Sequence, residues 1–295
     1  MISKELQIVF LFDQARTFRE EGKSLHAMQL YRRILSLEPL SPRGYLELSS
    51  LYTELMDFQP ATKLLQHALT SLPGAEELVY TLGECYLHLA RYDDAIAWFR
   101  KIEARKIPNV HYNLGLALLG KKEYRAAADQ FHLTIDLHPD FPRINGLLGE
   151  VFFKMNDPPR AIRHLKREIR RDPYHAANHH YLGLAHAALG DWEHAYDELT
   201  LAVDTDPDEA ENWRLCGEAL CHLHRFTEAE HYVRKALDLS PATKESRELL
   251  QRILDGKISL AGIPGPGRQP IPRDAGDERR SRKIPTEKLH YGELH

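Results

Sequence analysis

The 295-residue sequence has only three cysteines. Three cannot build the disulfide framework on which small exported domains depend, and none sits in a Cys-x-x-Cys pair. Long hydrophobic runs are missing too: nothing approaches the roughly 18–20 continuous apolar residues that cross a bilayer. The apolar stretch Ile8 to Phe12 is broken at once by Asp13 and Arg16, too short for the core of an export signal. Nor does one sign of charge dominate, with 39 Lys plus Arg against 43 Asp plus Glu, a formal charge of -4. That balance argues against a mainly electrostatic nucleic-acid binder while leaving room for a local basic patch. The expectation is a soluble, cytoplasmic protein from a reducing compartment.

What is present is internal repetition, the first thing to test in any sequence. Registers beginning at Ile8, Pro42, Glu76, Pro108, Pro142, Ala176 and Ala210 are spaced 34, 34, 32, 34, 34 and 34 residues apart. Position 20 of each register is Ala27, Ala61, Ala95, Ala127, Ala161, Ala195 and Ala229. Position 8 is small throughout, from Ala15 and Ser49 to Gly83, Gly115, Gly149, Gly183 and Gly217. Position 24 is large and apolar, and position 32 is proline in six registers, with Ile107 and then Pro108 in the third. Within a unit, Val79, Leu82, Gly83 and Tyr86 share one helical face, and Ala95, Phe99 and Ile102 share a second. Each unit therefore reads as a helical hairpin, its small residues marking where two helices approach closely. The proline stops the second helix.

The fragments Tyr112-Asn-Leu-Gly115, Tyr181-Leu-Gly183 and Trp213-Arg-Leu-Cys-Gly217 resemble the first-helix signature of the tetratricopeptide repeat family. Asp94-Ala-Ile-Ala-Trp-Phe99 and Tyr124-Arg-Ala-Ala-Ala-Asp-Gln-Phe131 resemble its second. The resemblance implies an all-α, right-handed superhelical solenoid of seven antiparallel helix pairs. After Pro241, Thr243 is placed to cap a further helix over about 243–255, with Gly256 as its stop. Leu249, Leu250, Ile253 and Leu254 give that helix an apolar stripe to cover the last hairpin. Residues 1–261 form the expected solenoid. Residues 262–295, rich in Pro, Gly and charge, are expected to be a disordered tail.

Chemical motifs are scarce. No glycine-rich phosphate loop, His-Glu-x-x-His helix or Gly-x-Ser-x-Gly elbow occurs. A non-enzymatic protein without metal or cofactor is the expectation. Among 17 histidines, His175, His179, His180 and His186 cluster at spacings that could meet one metal ion. His179 and His186 fall in packing columns, however, so core filling is the stronger reading, and only His180 should face the groove. Cys85 and Cys216 are expected to be buried and inert, Cys221 more accessible. Arg160, Arg163, Lys166, Arg167, Arg170 and Arg171 form a basic run on the second helix of the fifth unit, diluted by Glu168 and Asp172. That run and the tail's Arg279, Arg280, Arg282 and Lys283 are candidate second contacts.

In the family that this sequence resembles, the concave surface is lined by first-helix positions 2, 5, 9 and 12, with position 6 at its edge. Carried over, these positions nominate Tyr80, Glu84, Tyr112, Leu116, Glu150, Phe153, His180, Leu184, Arg214 and Glu218, with Asn113 at the edge. Aromatic and apolar groups between glutamates suit a protein or peptide segment with apolar anchors and basic residues. The set of Lys, Asn and Arg by which chaperone-tail binders hold a terminal carboxylate is not found in any three successive units. The expected function is a protein-interaction scaffold or adaptor, the alternative a dedicated regulatory or assembly subunit. The sequence sets no oligomeric state.

Overall fold

The computed structural model describes residues 3–103 and 109–261, and those residues hold fifteen helices and no strand. The tail expected over 262–295, and the Ile107–Pro108 junction, lie outside the described residues. Seven hairpins follow in order. They are α1 (Lys4–Glu20) with α2 (Ser24–Leu37), α3 (Pro42–Glu54) with α4 (Phe58–Ser71), and α5 (Glu76–His88) with α6 (Tyr92–Phe99). Next come α7 (Val110–Gly120) with α8 (Tyr124–Leu137), α9 (Ile144–Lys154) with α10 (Pro158–Ile169), α11 (Ala176–Ala188) with α12 (Trp192–Thr205), and α13 (Ala210–His222) with α14 (Phe226–Leu239). A last helix, α15 (Lys244–Ala261), packs on α13 and α14. Every helix packs on its chain neighbours, and successive first helices also meet (α3 on α5, α5 on α7, α9 on α11). First helices therefore line one side and second helices the other.

The repeat columns explain the packing. All seven alanines at position 20 are completely buried. In units three to seven, the position-24 side chain lies over the position-8 glycine of its own hairpin. A Cβ added at Gly83 or Gly115 would stand 2.5 Å from the ring of Phe99 or Phe131. Gly149, Gly183 and Gly217 are covered in the same way by Leu165, Leu199 and Val233. So the glycine column makes room for a large side chain as well as for a close helix crossing. The helix-stopping role of proline holds in six units, where the second helix ends two to four residues before it.

The hairpin turns share a device that composition does not advertise. Position 15 is left-handed in all seven: Gly22, Met56, Ala90, Lys122, Asn156, Gly190 and His224 have φ between 54° and 76°. In each turn the N–H of position 15 donates to the carbonyl of position 12, as Ala90 does to Leu87 at 3.0 Å. The next N–H donates to the carbonyl of position 11, as Arg91 does to Tyr86 at 2.9 Å. These two bonds are the Schellman closure of a helix C-terminus.

Two expected boundaries differ. Gly256 does not stop the last helix, which runs on to Ala261. Instead it gives space to Phe226, whose ring would lie 3.0 Å from a Cβ at that site. The hydroxyl of Thr243 donates to Ser240 rather than capping α15, and only its carbonyl receives the Arg247 N–H. At the other end α1 begins at Lys4, earlier than the register at Ile8, because the Ser3 hydroxyl accepts from the Leu6 N–H and starts the helix there.

Candidate functional site

The first-helix surface divides into stretches of different character. Towards the N-terminus it is ionic: Arg19 donates to Glu47 at 3.0 Å and to Ser50 at 2.8 Å, and pairs with Glu54. These groups line a cavity of about 690 Å³ together with Arg16, Glu20 and Leu46. The sequence reading began the groove at the third unit and missed this cluster, because its members come from α1 and α3 and meet only through the fold.

At units three and four, Tyr80, Glu84 and Asn113 form one network. Asn113 Nδ2 lies 2.9 Å from the Tyr80 hydroxyl and 3.1 Å from Glu84 Oε1. Asn113 was expected at the rim; it is buried, and acts as a strut between α5 and α7. Burial pushes the Glu84 carboxyl above the usual glutamate range, against hydrogen bonds from Tyr80 and Asn113 that pull it down. The Tyr80 phenol is raised by burial and then by Glu84. Glu84 is thus already engaged inside the protein. Tyr112 and Leu116 stand half-buried beside it, with the Tyr112 ring 4.8 Å from that of Phe141.

Further along, Glu150 Oε1 accepts from the Tyr181 hydroxyl at 2.8 Å, and Phe153 packs against the Tyr181 ring at 5.9 Å. His180 is half-buried, with Nδ1 2.7 Å from Asn212 Oδ1, which ties α11 to α13. Arg214 is held by Glu211 at 2.6 Å and by Glu218 at 2.8 Å, and those carboxylates raise its pKa. Between α11, α12 and α13 a half-open cavity of about 260 Å³ is lined by Leu184, Ala187, Ala188, Trp192, Leu199, Leu215 and Ala219, with Glu218 as its one charged group. Leu184 and Glu218 were nominated from the sequence. Trp192 was not, because it belongs to the second helix of its unit and no concave-position rule reaches it.

The histidine cluster is drawn apart by the fold. His179 is buried between Glu198, 2.7 Å from its Nδ1, and the Pro173 carbonyl, 3.0 Å from Nε2. His186 is buried with Nδ1 3.0 Å from Asp191. Asp191 caps α12 and also meets His194, which makes a His-Asp-His trio. Coordination through His186 Nδ1 would move that ring's proton to Nε2, which is buried and has no partner. The trio orients the carboxylate that caps α12. Burial pushes Cys85 and Cys216 up to about 12 and Cys221 up to about 11, so all three remain thiols at neutral pH. Among the described residues no helix is long and apolar enough to cross a membrane.

Hairpins stacked so that one helix of each faces a common surface define the class of helical-repeat interaction scaffolds, and no set of described side chains assembles catalytic machinery on it. Two sequence profiles described as tetratricopeptide repeat match residues 56–106, and 112–176, 147–210 and 182–243. The chain belongs to the tetratricopeptide repeat family, whose members are protein- and peptide-binding scaffolds. It is 24% identical over 211 residues to the "BBSome complex member BBS4 homolog" of Drosophila melanogaster, across 70% of this chain and 41% of that one. It superposes with a TM-score of 0.64 on a chain of the APC/C hetero-tetramer Cut9-Hcn1, at 18% identity, covering 81% of this chain and 48% of that one. A tetratricopeptide repeat protein from Parabacteroides merdae gives 0.61 at 15% identity, covering 84% and 98%. The chain spans between 24% and 55% of the length of four curated relatives that it matches, so their whole-protein activities do not pass to it.

Proposed function

We propose that this chain holds a protein segment along its first-helix surface from unit three to unit seven, anchored by an apolar side chain in the cavity between α11, α12 and α13. That cavity carries the reading. It is apolar, half-open, and large enough at about 260 Å³ for a leucine or phenylalanine side chain. Half-buried Tyr112, Leu116 and Phe153 extend the same surface, and such groups are costly to keep in water unless a partner covers them. Glu218 on the cavity wall shares Arg214 with Glu211, and the net negative charge of that trio favours a basic residue beside the anchor. Glu84 contributes little to that preference, because it is already engaged by Tyr80 and Asn113.

The test starts from a partner identified by pull-down and measures affinity with purified proteins. Filling the cavity with Ala187→Leu, or removing Tyr112 and Phe153 together to Ala, should weaken binding at least tenfold, as loss of central anchors does. The comparison variant changes Arg163, Lys166 and Arg170 to Gln on the opposite side. A partner that ignores both groove variants and is lost with that triple would overturn the concave reading.

A second reading is a dedicated subunit of one assembly. It draws on the relative named as a BBSome member and on the superposition with a chain of the Cut9-Hcn1 hetero-tetramer. In that case the purified partner complex should retain the chain stoichiometrically through gel filtration.

A further inference from the structure

The basic run on α10 is more uniform than its sequence suggests. Glu168, which interrupts it in one dimension, is almost completely buried, and its Oε2 accepts the Asn145 N–H at 3.1 Å. There it caps the start of α9, where a carboxylate meets the positive end of the helix dipole. What remains outside is Arg160, Arg163, Lys166, Arg167, Arg170 and Arg171, all exposed. Arg160 pairs with Asp157, and Arg171 donates to the Asp140 carbonyl. Among the described residues Arg163, Lys166, Arg167 and Arg170 pair with no carboxylate.

The helix dipole accounts for only part of this arrangement. Cations favour a helix C-terminus, which suits Lys166, Arg167 and Arg170. Arg163 lies mid-helix, where the dipole offers nothing, and like charges three and four residues apart destabilise a helix. A neighbouring group registers the field. His164 is pushed down to about 4, by burial first and then by His132, Arg163, Arg167 and Arg160.

The surroundings restrict the size of an anionic partner. The exposed face of α12 carries Glu193, Asp197 and Asp204 and no Lys or Arg, while α8 exposes Asp129 and Asp136 against Arg125 alone. A wide polyanion such as a duplex or an anionic membrane would meet those carboxylates on both sides of the stripe. A narrow one would not.

We propose that the exposed face of α10 docks a short acidic protein segment rich in Asp and Glu, on the opposite side of the solenoid from the groove. Exposed ion pairs are individually weak, so affinity comes from several at once and falls as salt screens them.

Fluorescence anisotropy with the full chain and a labelled oligo-glutamate peptide at low ionic strength tests this. The wild type should bind, and Arg163→Gln, Lys166→Gln, Arg167→Gln and Arg170→Gln together should reduce affinity about tenfold or more. Circular dichroism checks that the fold is kept, and changing Arg163, Arg167 and Arg170 to Lys should keep the binding. Arg33→Gln with Lys63→Gln, exposed cations of α2 and α4, should leave it unchanged. The proposal is overturned if the wild type does not bind, if the quadruple variant binds equally well, or if a DNA duplex or phosphatidylserine vesicles bind more tightly than the peptide.

Discussion

Ala90 and Gly190 occupy the same place in two turns, with φ of 54° and 76°. For a residue with a Cβ the left-handed region costs roughly 1–2 kcal/mol, while glycine enters it freely at some cost in chain entropy. Nothing lies within 4 Å of a Cβ built on Gly190, so Gly190→Ala isolates the backbone effect. It should lower stability by about 1 kcal/mol in urea denaturation, and Ala90→Gly should raise it by somewhat less. No change in either variant would mean that these turns relax out of the left-handed region. Glu84 makes a separate prediction at this scale. Its folded pKa is raised, so the native state takes up a proton more readily than the unfolded chain. Its contribution is fully present below the ordinary glutamate value and is lost as pH rises through the folded one. Glu84→Gln, which keeps an acceptor for Asn113, should remove that slope. Denaturation of both forms across that pH window should show the wild-type advantage shrinking as pH increases.

At the scale of the hairpin, Ala161 and Gly149 determine how α9 and α10 meet. Ala161 is fully buried, and Leu165 lies on Gly149. Ala161→Leu should overpack the crossing and cost roughly 1–3 kcal/mol. Hydrogen exchange should place the loss of protection in units four to six. Uniform loss from α1 to α14 would contradict nearest-neighbour packing. This is also the scale at which the sequence was most legible. Seven alanines and a column of small residues recur in register, and periodic burial leaves a periodic trace. The turn conformation left much less of one, because only Gly22 and Gly190 of its seven residues are glycines. Glu168 left none: a glutamate between arginines looks solvated until α9 is seen to start against it. The positions nominated for the groove carried no information on the state of their side chains. Asn113 and Glu84 stand at lining positions, yet their side chains bond to one another across the α5–α7 junction.

Across the described residues, each helix packs on its neighbours in the chain and each unit on the units beside it. That one-dimensional arrangement has a mechanical consequence. Tension applied to the two ends passes through every interface in series, so the weakest yields first and the others are spared. Unravelling a 34-residue unit releases a contour of about 110–120 Å, less the short distance that its folded hairpin spans. Stretched by optical tweezers, the chain should lengthen in steps of nearly equal size, with a smaller step where α5 and α6 make up the 32-residue unit. A single rip of the whole molecule would mean long-range coupling that stacked hairpins do not supply. Partially extended, such a chain keeps its remaining units intact, a spring that gives way one coil at a time.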